Sequence, residues 1–380
     1  MSAAFTAALT AADADFHARR LAGVDLGLLS RHAAAADAAG RLHPEVLALF
    51  HTQRWLTLLA PAAVGGGEWP LPDVVRLEEA VAQADGSAGW MLTLCAGAAW
   101  FAGFWPEALA QRVLATPGVC LGGSGAATGT AQPLGEADGD RNGEGNVWRL
   151  QGHWGHATGA PWATHFTFNA VLPEGCEPRV RAFVVPAAAV QVHDTWQCMG
   201  LRASRSDAFS LAGATVPAEH AFDIAVGAAT APGPLWRFPF GAFAAVTLAA
   251  NVLGMARAFL AEAEPVVQRR LQQRNAAGAP GVPGVWEAAW AQAVAGLQAA
   301  RDAFYAALDA AWQQAAAGHP VAAEDAQRLE ALSHALARAA REAVDGVYPA
   351  CGLHAADPRT ALNRHWRDLH TATQHALWLR

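Results

Sequence analysis

Two groups of residues in this chain have the types and spacing that chemistry needs. The first is Gly152-His-Trp-Gly-His-Ala-Thr-Gly159. Its glycines lack the Cβ that would hold a flat ligand away from the backbone, and Thr158 supplies a hydroxyl. Strand-like runs flank this corner, Val147–Leu150 and His165–Leu172, and in the second Phe166, Phe168, Ala170 and Leu172 alternate as a half-buried strand requires. An ordinary hairpin has the same pattern. The second group lies near the end of the chain, where Arg364, Asp368, Thr371 and His375 follow one another at steps of four, three and four. At about 100° per residue these steps keep all four on one face of a helix. Asp368 then lies near the His375 ring or near Arg364. His370, five positions before His375, points elsewhere, so the two histidines do not chelate one metal.

The elements that must position these groups follow from periodicity. Up to about Ala115 the pattern is helical: Pro44 suits a first helical turn, Leu59–Gly67 breaks the pattern as a loop, and a helix from Leu71 to Ala84 ends at Asp85-Gly86. A very apolar helix then runs from Trp90 to Trp105. In the middle, short β-like runs such as Arg179–Val185 and Val190–His193 alternate with Gly, Pro, Asp and Asn, and Gly135–Asn146 reads as a solvated hairpin or loop. After the connector Ala229–Pro239, helix returns. Trp286, Trp290, Val294, Leu297, Phe304, Leu308 and Trp312 recur at three- and four-residue steps until Gly318-His-Pro320, and a second amphipathic helix runs to Gly346. Ala-rich helices of this length suit an antiparallel bundle. The expected fold is α+β and mostly α: an N-terminal helical domain over residues 1–116, a small β domain over 117–224 and a helical bundle over 225–380.

Composition narrows the function. With 53% apolar and 16% charged residues over 380 positions, the chain has the makings of a large core. A net charge of -7 without any basic run speaks against nucleic acid. All 26 basic residues are arginines, so lysine Schiff-base chemistry is excluded. The cysteines Cys95, Cys120, Cys176, Cys198 and Cys351 are odd in number and without a CxxC pair, and they read as reduced, mostly buried thiols of a cytoplasmic protein. The N-terminus carries no recognisable signal peptide. The apolar runs Met91–Trp105 and Gly241–Ala256 look too short to span a membrane and read as buried helices.

Three signatures, in order along nearly the whole chain, resemble the acyl-CoA dehydrogenase superfamily. They are Leu58–Gly67 followed by Arg76–Ser87, Asp194–Ser206 ending in Val216-Pro-Ala-Glu219, and Arg364–His375. The resemblance implies an N-terminal helical domain, a central small β-barrel, a C-terminal four-helix bundle, and a flavin between barrel and bundle in a homotetramer. On that basis Thr158 faces N5 of the flavin, and His156 takes the place of an aromatic ring lying on it. Ser124, in Gly122–Gly129, lines the flavin and substrate side, and Trp154, Gly159 and Ser206 join the cofactor-binding set. Trp90, Arg364, Asp368 and His370 line the substrate side.

Within the superfamily the tail decides between reactions. Dehydrogenases remove an α-proton with a glutamate that commonly follows the Arg-Asp motif, whereas here that place reads His375-Ala-Leu-Trp378. Glu262 and Glu264 remain as a displaced base for an acyl-CoA dehydrogenase-like reaction. The tail resembles instead the two-component flavin monooxygenases, which receive reduced FMN or FAD from a separate reductase and use O2 to oxidise a hydrophobic aromatic or heterocyclic substrate. That resemblance makes Thr158 the hydrogen-bonding group near N5 and His375 the base that polarises the substrate hydroxyl. The connector Gly233–Phe240 is similar to that of proteins that exchange flavin readily. Arg205 stands where relatives often carry a small residue. A third reading is a relative that has lost flavin and serves as a structural partner.

Overall fold

The computed structural model describes residues 10–134, 147–175, 179–276 and 284–379; the expected loop at Gly135–Asn146 and the thiol of Cys176 lie outside them. Six helices come first: α1 (Ala11–Phe16), α2 (Gly27–Ala39), α3 (Pro44–Thr52), α4 (Leu71–Ala84), α5 (Gly86–Trp100) and α6 (Glu107–Leu114). Seven strands follow: β1 (Leu121–Leu134), β2 (Val147–Ala157), β3 (His165–Val171), β4 (Val180–Pro186), β5 (Gln191–His193), β6 (Asp207–Pro217) and β7 (Ala221–Phe222). The chain then runs through α7 (Phe240–Ala276), α8 (Val285–Ala316), α9 (Ala323–Cys351), α10 (Leu353–Ala356) and α11 (Ala361–Ala372).

The strands form one mixed sheet in the order β5-β6-β2-β1-β3-β4-β7. β1 runs antiparallel to β2 and parallel to β3. The flanks of the glycine-rich corner are therefore not a hairpin, because β1 lies between them. The glycines continue β2 as far as Ala157, with a register shift against β6 between Trp154 and Ala157. The sheet curls strongly. Phe166 of β3 and Phe209 of β6 are three strands apart, roughly 14 Å in a flat sheet, yet their rings meet at 4.8 Å. Trp148, Trp154, Phe168 and Phe183 fill the barrel-like interior so formed.

A second, larger core joins the N-terminal helices to the bundle. α7 and α8 pack on α9, and α7 also packs against α4, α5 and α11. The two apolar runs belong to longer helices than expected. Gly86–Phe104 and Phe240–Arg274, 19 and 35 residues, are long and apolar enough to cross a membrane by length and composition. Yet 83% and 89% of their most apolar windows is buried inside this protein, so their apolarity is already matched by core packing. α5 is the element that joins the layers: its middle packs on β1, and its N-terminus meets α11 and the turn at Arg202–Ser204.

Candidate functional site

The site is built where α5, the end of β2, the 194–206 segment and the residues after α11 converge. β2 delivers Thr158 buried, 3% exposed, with its Oγ1 2.8 Å from Ser206 Oγ. Ser206 Oγ lies in turn 3.0 Å from Ser204 Oγ, so three buried hydroxyls form one chain. Gly159 follows at φ 74°, and a Cβ there would stand 2.8 Å from Cys95 Sγ of α5; only glycine lets the backbone lie this close to the helix. The Cys95 thiol donates to the Thr158 carbonyl at 3.6 Å, and the neighbouring Cys120 thiol, together with burial, pushes it well above its ordinary pKa. Gly122 of β1 packs toward the Thr158 carbonyl, 3.4 Å from where its Cβ would lie, and Ser124 sits two residues on, along the same strand face. Beyond Ser124, β1 bulges away from β3, leaving Gly125–Thr128 exposed.

On the other side stand aromatic groups. Trp90 of α5 is 5% exposed and meets the half-buried His375 ring edge-on at 5.8 Å. His156 is exposed, in the left-handed region at φ 62°, and faces Trp196 edge-on at 6.0 Å. Burial, together with the nearby His156, lowers the pKa of His375. The Leu377 N–H donates to His375 Nδ1 at 3.2 Å, so the neutral ring keeps its proton on Nε2. His375 thus offers a donor at Nε2, whereas a base was expected.

Several expected placements change. His375 is not on the helical face of Arg364, Asp368 and Thr371, because α11 stops at Ala372 and a turn intervenes. Trp154 does not face the flavin side: it is fully buried in the sheet interior, stacks on Phe209 at 5.2 Å and donates Nε1–H to the Asn169 carbonyl at 2.9 Å. His370 turns toward α9, 2.9 Å from Asp345, and packs on Trp366 at 4.3 Å. The Arg205 side chain is held by Asp207 and Asp194 at 2.7 and 3.1 Å. Glu262 is exposed and Glu264 half-buried along α7.

Asp368 and Arg364 lie in a buried layer at the N-terminus of α5. Asp368 is 1% exposed; its Oδ1 accepts the Leu201 N–H at 2.6 Å, and its Oδ2 has no partner. Burial raises its pKa to about 7, helped by Asp85, itself raised to about 6 by burial. Arg364 Nε is likewise buried without a partner. His365, fully enclosed, is depressed to about 3 by desolvation and by Arg364. Sequence reasoning missed Trp196, Ser204 and Ser87, whose partners lie far along the chain, although the Ser-Arg-Ser spacing of 204–206 puts two hydroxyls on one side of a turn.

A flat, heteroatom-rich ring system fits these groups. Gly125 and Gly155 have nothing within 4 Å of where a Cβ would be, so the backbone is open there. Beside it stand a hydroxyl chain and an imidazole N–H. Two cavities of about 340 and 200 Å³ lie elsewhere, the larger between Asp13, Glu79, Arg257 and Arg301 and the smaller beside His51 and Leu114. Among the described residues, one group could ligate a metal: His32, His43 and Glu45, whose ligand atoms lie within 4.8 Å of one another on the surface of α2 and α3.

Residues 246–379 match the family model described as acyl-CoA dehydrogenase, C-terminal domain. A pigment production hydroxylase of Rhodococcus sp. (strain ATCC 21145) is 29% identical over 334 residues, covering 84% of this chain and 82% of that protein. The flavin-dependent monooxygenase oxygenase subunit HsaA of Mycobacterium tuberculosis is 24% identical, covering 94% and 91%. A crystal structure of the HsaA monooxygenase from M. tuberculosis has a TM-score of 0.84 at 20% identity, over 96% of this chain and 95% of that one. XiaF from Streptomyces sp., solved in complex with FADH2 and glycerol, has a TM-score of 0.73 at 20% identity, over 97% and 94%.

Proposed function

We infer that the chain, whose residues 246–379 match the acyl-CoA dehydrogenase C-terminal domain model, is a member of that superfamily and the oxygenase component of a two-component flavin-dependent monooxygenase. It takes reduced FMN or FAD from a separate, transiently docking reductase and uses O2 to oxidise a small hydrophobic aromatic or heterocyclic substrate. The hydroxylase and oxygenase names of its relatives support this reading.

The observation that carries it is the make-up of the site. The hydrogen bonds at Thr158, Ser206 and His375 go to hydroxyls, a thiol and backbone, and none to a carboxylate among the described residues. An α-proton abstraction needs such a carboxylate; an oxygenation needs a dry, hydrogen-bonding surround. When bound, reduced flavin supplies the electrons with which O2 is activated. The Thr158–Ser206 pair would hold the ring's polar edge, with Ser124 and the open backbone at Gly125 and Gly155 beside it. His156 and Trp196 border the opening. Trp90 and His375 face the substrate: the indole excludes water, and Nε2–H of the imidazole donates to the substrate's polar atom and orients the ring.

The reading also places the protein in the cytoplasm as a homotetramer. For the tetramer its support is the exposure of Leu353 (89%), Val285 (52%) and Phe240 (42%) on the bundle, apolar surface that a second copy would cover. Nucleic acid and membrane are not partners in it.

The test mixes the protein with anaerobically reduced FMN or FAD, then with 18O2 and a panel of phenols and indoles. One labelled oxygen atom per product molecule is expected. Reduced flavin reoxidising as it does free in solution, with unlabelled substrate recovered, overturns the reading. Thr158→Val and Ser206→Ala are expected to weaken flavin binding roughly 10-fold each, the scale of one buried hydrogen bond.

A further inference from the structure

Three of the five non-glycine residues with positive φ among those described belong to the site: His156 at 62°, Leu201 at 51° and Arg205 at 49°. Such backbone costs energy and persists only where surrounding contacts over-determine it. The contacts around Leu201 are unusually complete. Its N–H is accepted by Asp368 Oδ1 at 2.6 Å, and its carbonyl accepts the Trp196 Nε1–H at 2.8 Å. The Gly200 N–H before it is accepted by Thr371 Oγ1 at 3.1 Å, and the Ala203 N–H after it by Ser87 Oγ at 3.3 Å. A Cβ on Gly200 would stand 2.1 Å from the Arg367 carbonyl, so the loop lies directly against α11.

The far end of the segment is tied by a second carboxylate. Asp207 Oδ1 accepts the N–H groups of Thr195 and Trp196, both at 2.9 Å, and Oδ2 accepts Arg205 Nε–H at 2.7 Å. Between these ties sit Ser206, whose hydroxyl meets Thr158, and Ser204, whose hydroxyl reaches it through Ser206.

We propose that Asp368, together with Thr371 and Ser87, is a positioning residue: side chains of α11 and α5 hold the strained 200–206 loop so that Ser204 and Ser206 meet Thr158. Three side-chain oxygens take three backbone N–H groups within four residues. Asp368 therefore acts through the loop rather than on the substrate, and the Arg-Asp helix serves the flavin side of the site. Its second oxygen, packed against Gly86 where a Cβ would come within 2.9 Å, keeps the carboxyl from rotating away. The catalytic part of this proposal rests on the reduced-flavin reading; the structural part does not.

The experiment uses the full chain carrying Asp368→Ala, Thr371→Val, Ser87→Ala or Asp368→Asn. Amide hydrogen exchange over residues 195–208 is measured beside reduced-FMN affinity and thermal midpoint. Asp368→Ala and Thr371→Val are expected to speed exchange at Gly200–Ser206 about 10-fold or more and to weaken reduced FMN by a similar factor, roughly what losing one such bond costs. Asp368→Asn keeps an acceptor oxygen and is expected to restore both. Exchange unchanged in Asp368→Ala and Thr371→Val overturns the proposal. So does faster exchange with flavin affinity intact. Wild-type protein that binds no reduced flavin overturns the function, while exchange still decides whether Asp368 holds the loop. Should Asp368→Ala fail to fold, Thr371→Val and Ser87→Ala carry the same comparison.

Discussion

At the scale of single residues, His375 is the group whose chemistry is most closely set by its neighbours. Desolvation first, and the adjacent His156 second, hold its pKa below the ordinary 6.5. Its neutral form therefore survives to lower pH than a free imidazole, and a rate that needs the neutral ring falls only on the acid side of that value. Replacing His156 by Asn removes the like charge. The acid limb of the pH–rate profile is expected to move toward higher pH, with the burial contribution left in place. An unmoved limb would show that His156 does not act on His375, or that His375 does not set the limb. His375→Ala is expected to cost roughly 10-fold or more in substrate oxidation, the scale of a lost orienting hydrogen bond, while reduced flavin still reacts with O2.

At the scale of elements, the buried carboxylate of α11 gives a signed expectation. Unfolded, Asp368 ionises near the ordinary 3.8; folded, burial delays this to about 7. Between those values the native state holds a proton that the unfolded chain has released, so this group lowers stability as pH rises toward 7, and the loss is complete above it. Asn at this position never ionises. Asp368→Asn is expected to exceed the wild type at pH 8 by on the order of a few kcal/mol and to converge with it near pH 4. Urea unfolding at both pH values measures the difference; an equal gap at both would remove Asp368 as the source.

How much of each element was legible depended on how local its cause is. α4 was read residue for residue, Leu71–Ala84, because Pro72 and Asp85-Gly86 mark its ends in the sequence itself. The hairpin that the glycine corner's pattern also allows does not form, because the partner that separates its flanks, β1, is set by pairing across the sheet. No Gly or Pro marks the end of α11 at Ala372, so the spacing of Arg364, Asp368, Thr371 and His375 ran one face too far. The residue types at the site were visible, but the bond from Asp368 to Leu201 spans 167 positions and left no trace in spacing.

At the scale of the whole molecule, the N-terminal helices are fastened to the bundle by a buried ionic network. Arg301 of α8 donates to Asp13 of α1 at 3.0 Å and to Glu79 of α4 at 3.0 Å, and Tyr305 donates to Glu79 at 2.6 Å. Arg76 adds a bond to Asp13 at 3.3 Å. Charges so enclosed are costly to strand. Arg301→Ala is expected to lower unfolding free energy by roughly 3–5 kcal/mol, since two buried carboxylates lose a shared partner. A loss under about 1 kcal/mol in denaturant titration would mean that Arg257, which also donates to Glu79, and Arg76 suffice.

The two aromatic groups that face each other at the candidate site, Trp90 and His375, differ in how freely a lineage of such sequences can alter them. Trp90 belongs to a helix enclosed nearly throughout, where Gly89 meets Ala82 of α4 at 2.6 Å from a would-be Cβ, and almost any exchange disturbs several layers at once. His375 hangs from a short turn beyond α11, with exposed neighbours Gln374 and Ala376. Diversity should therefore accumulate at the tail while the tryptophan side stays fixed, and new substrate preferences would arise by shifting the imidazole rather than by reshaping the helix opposite it.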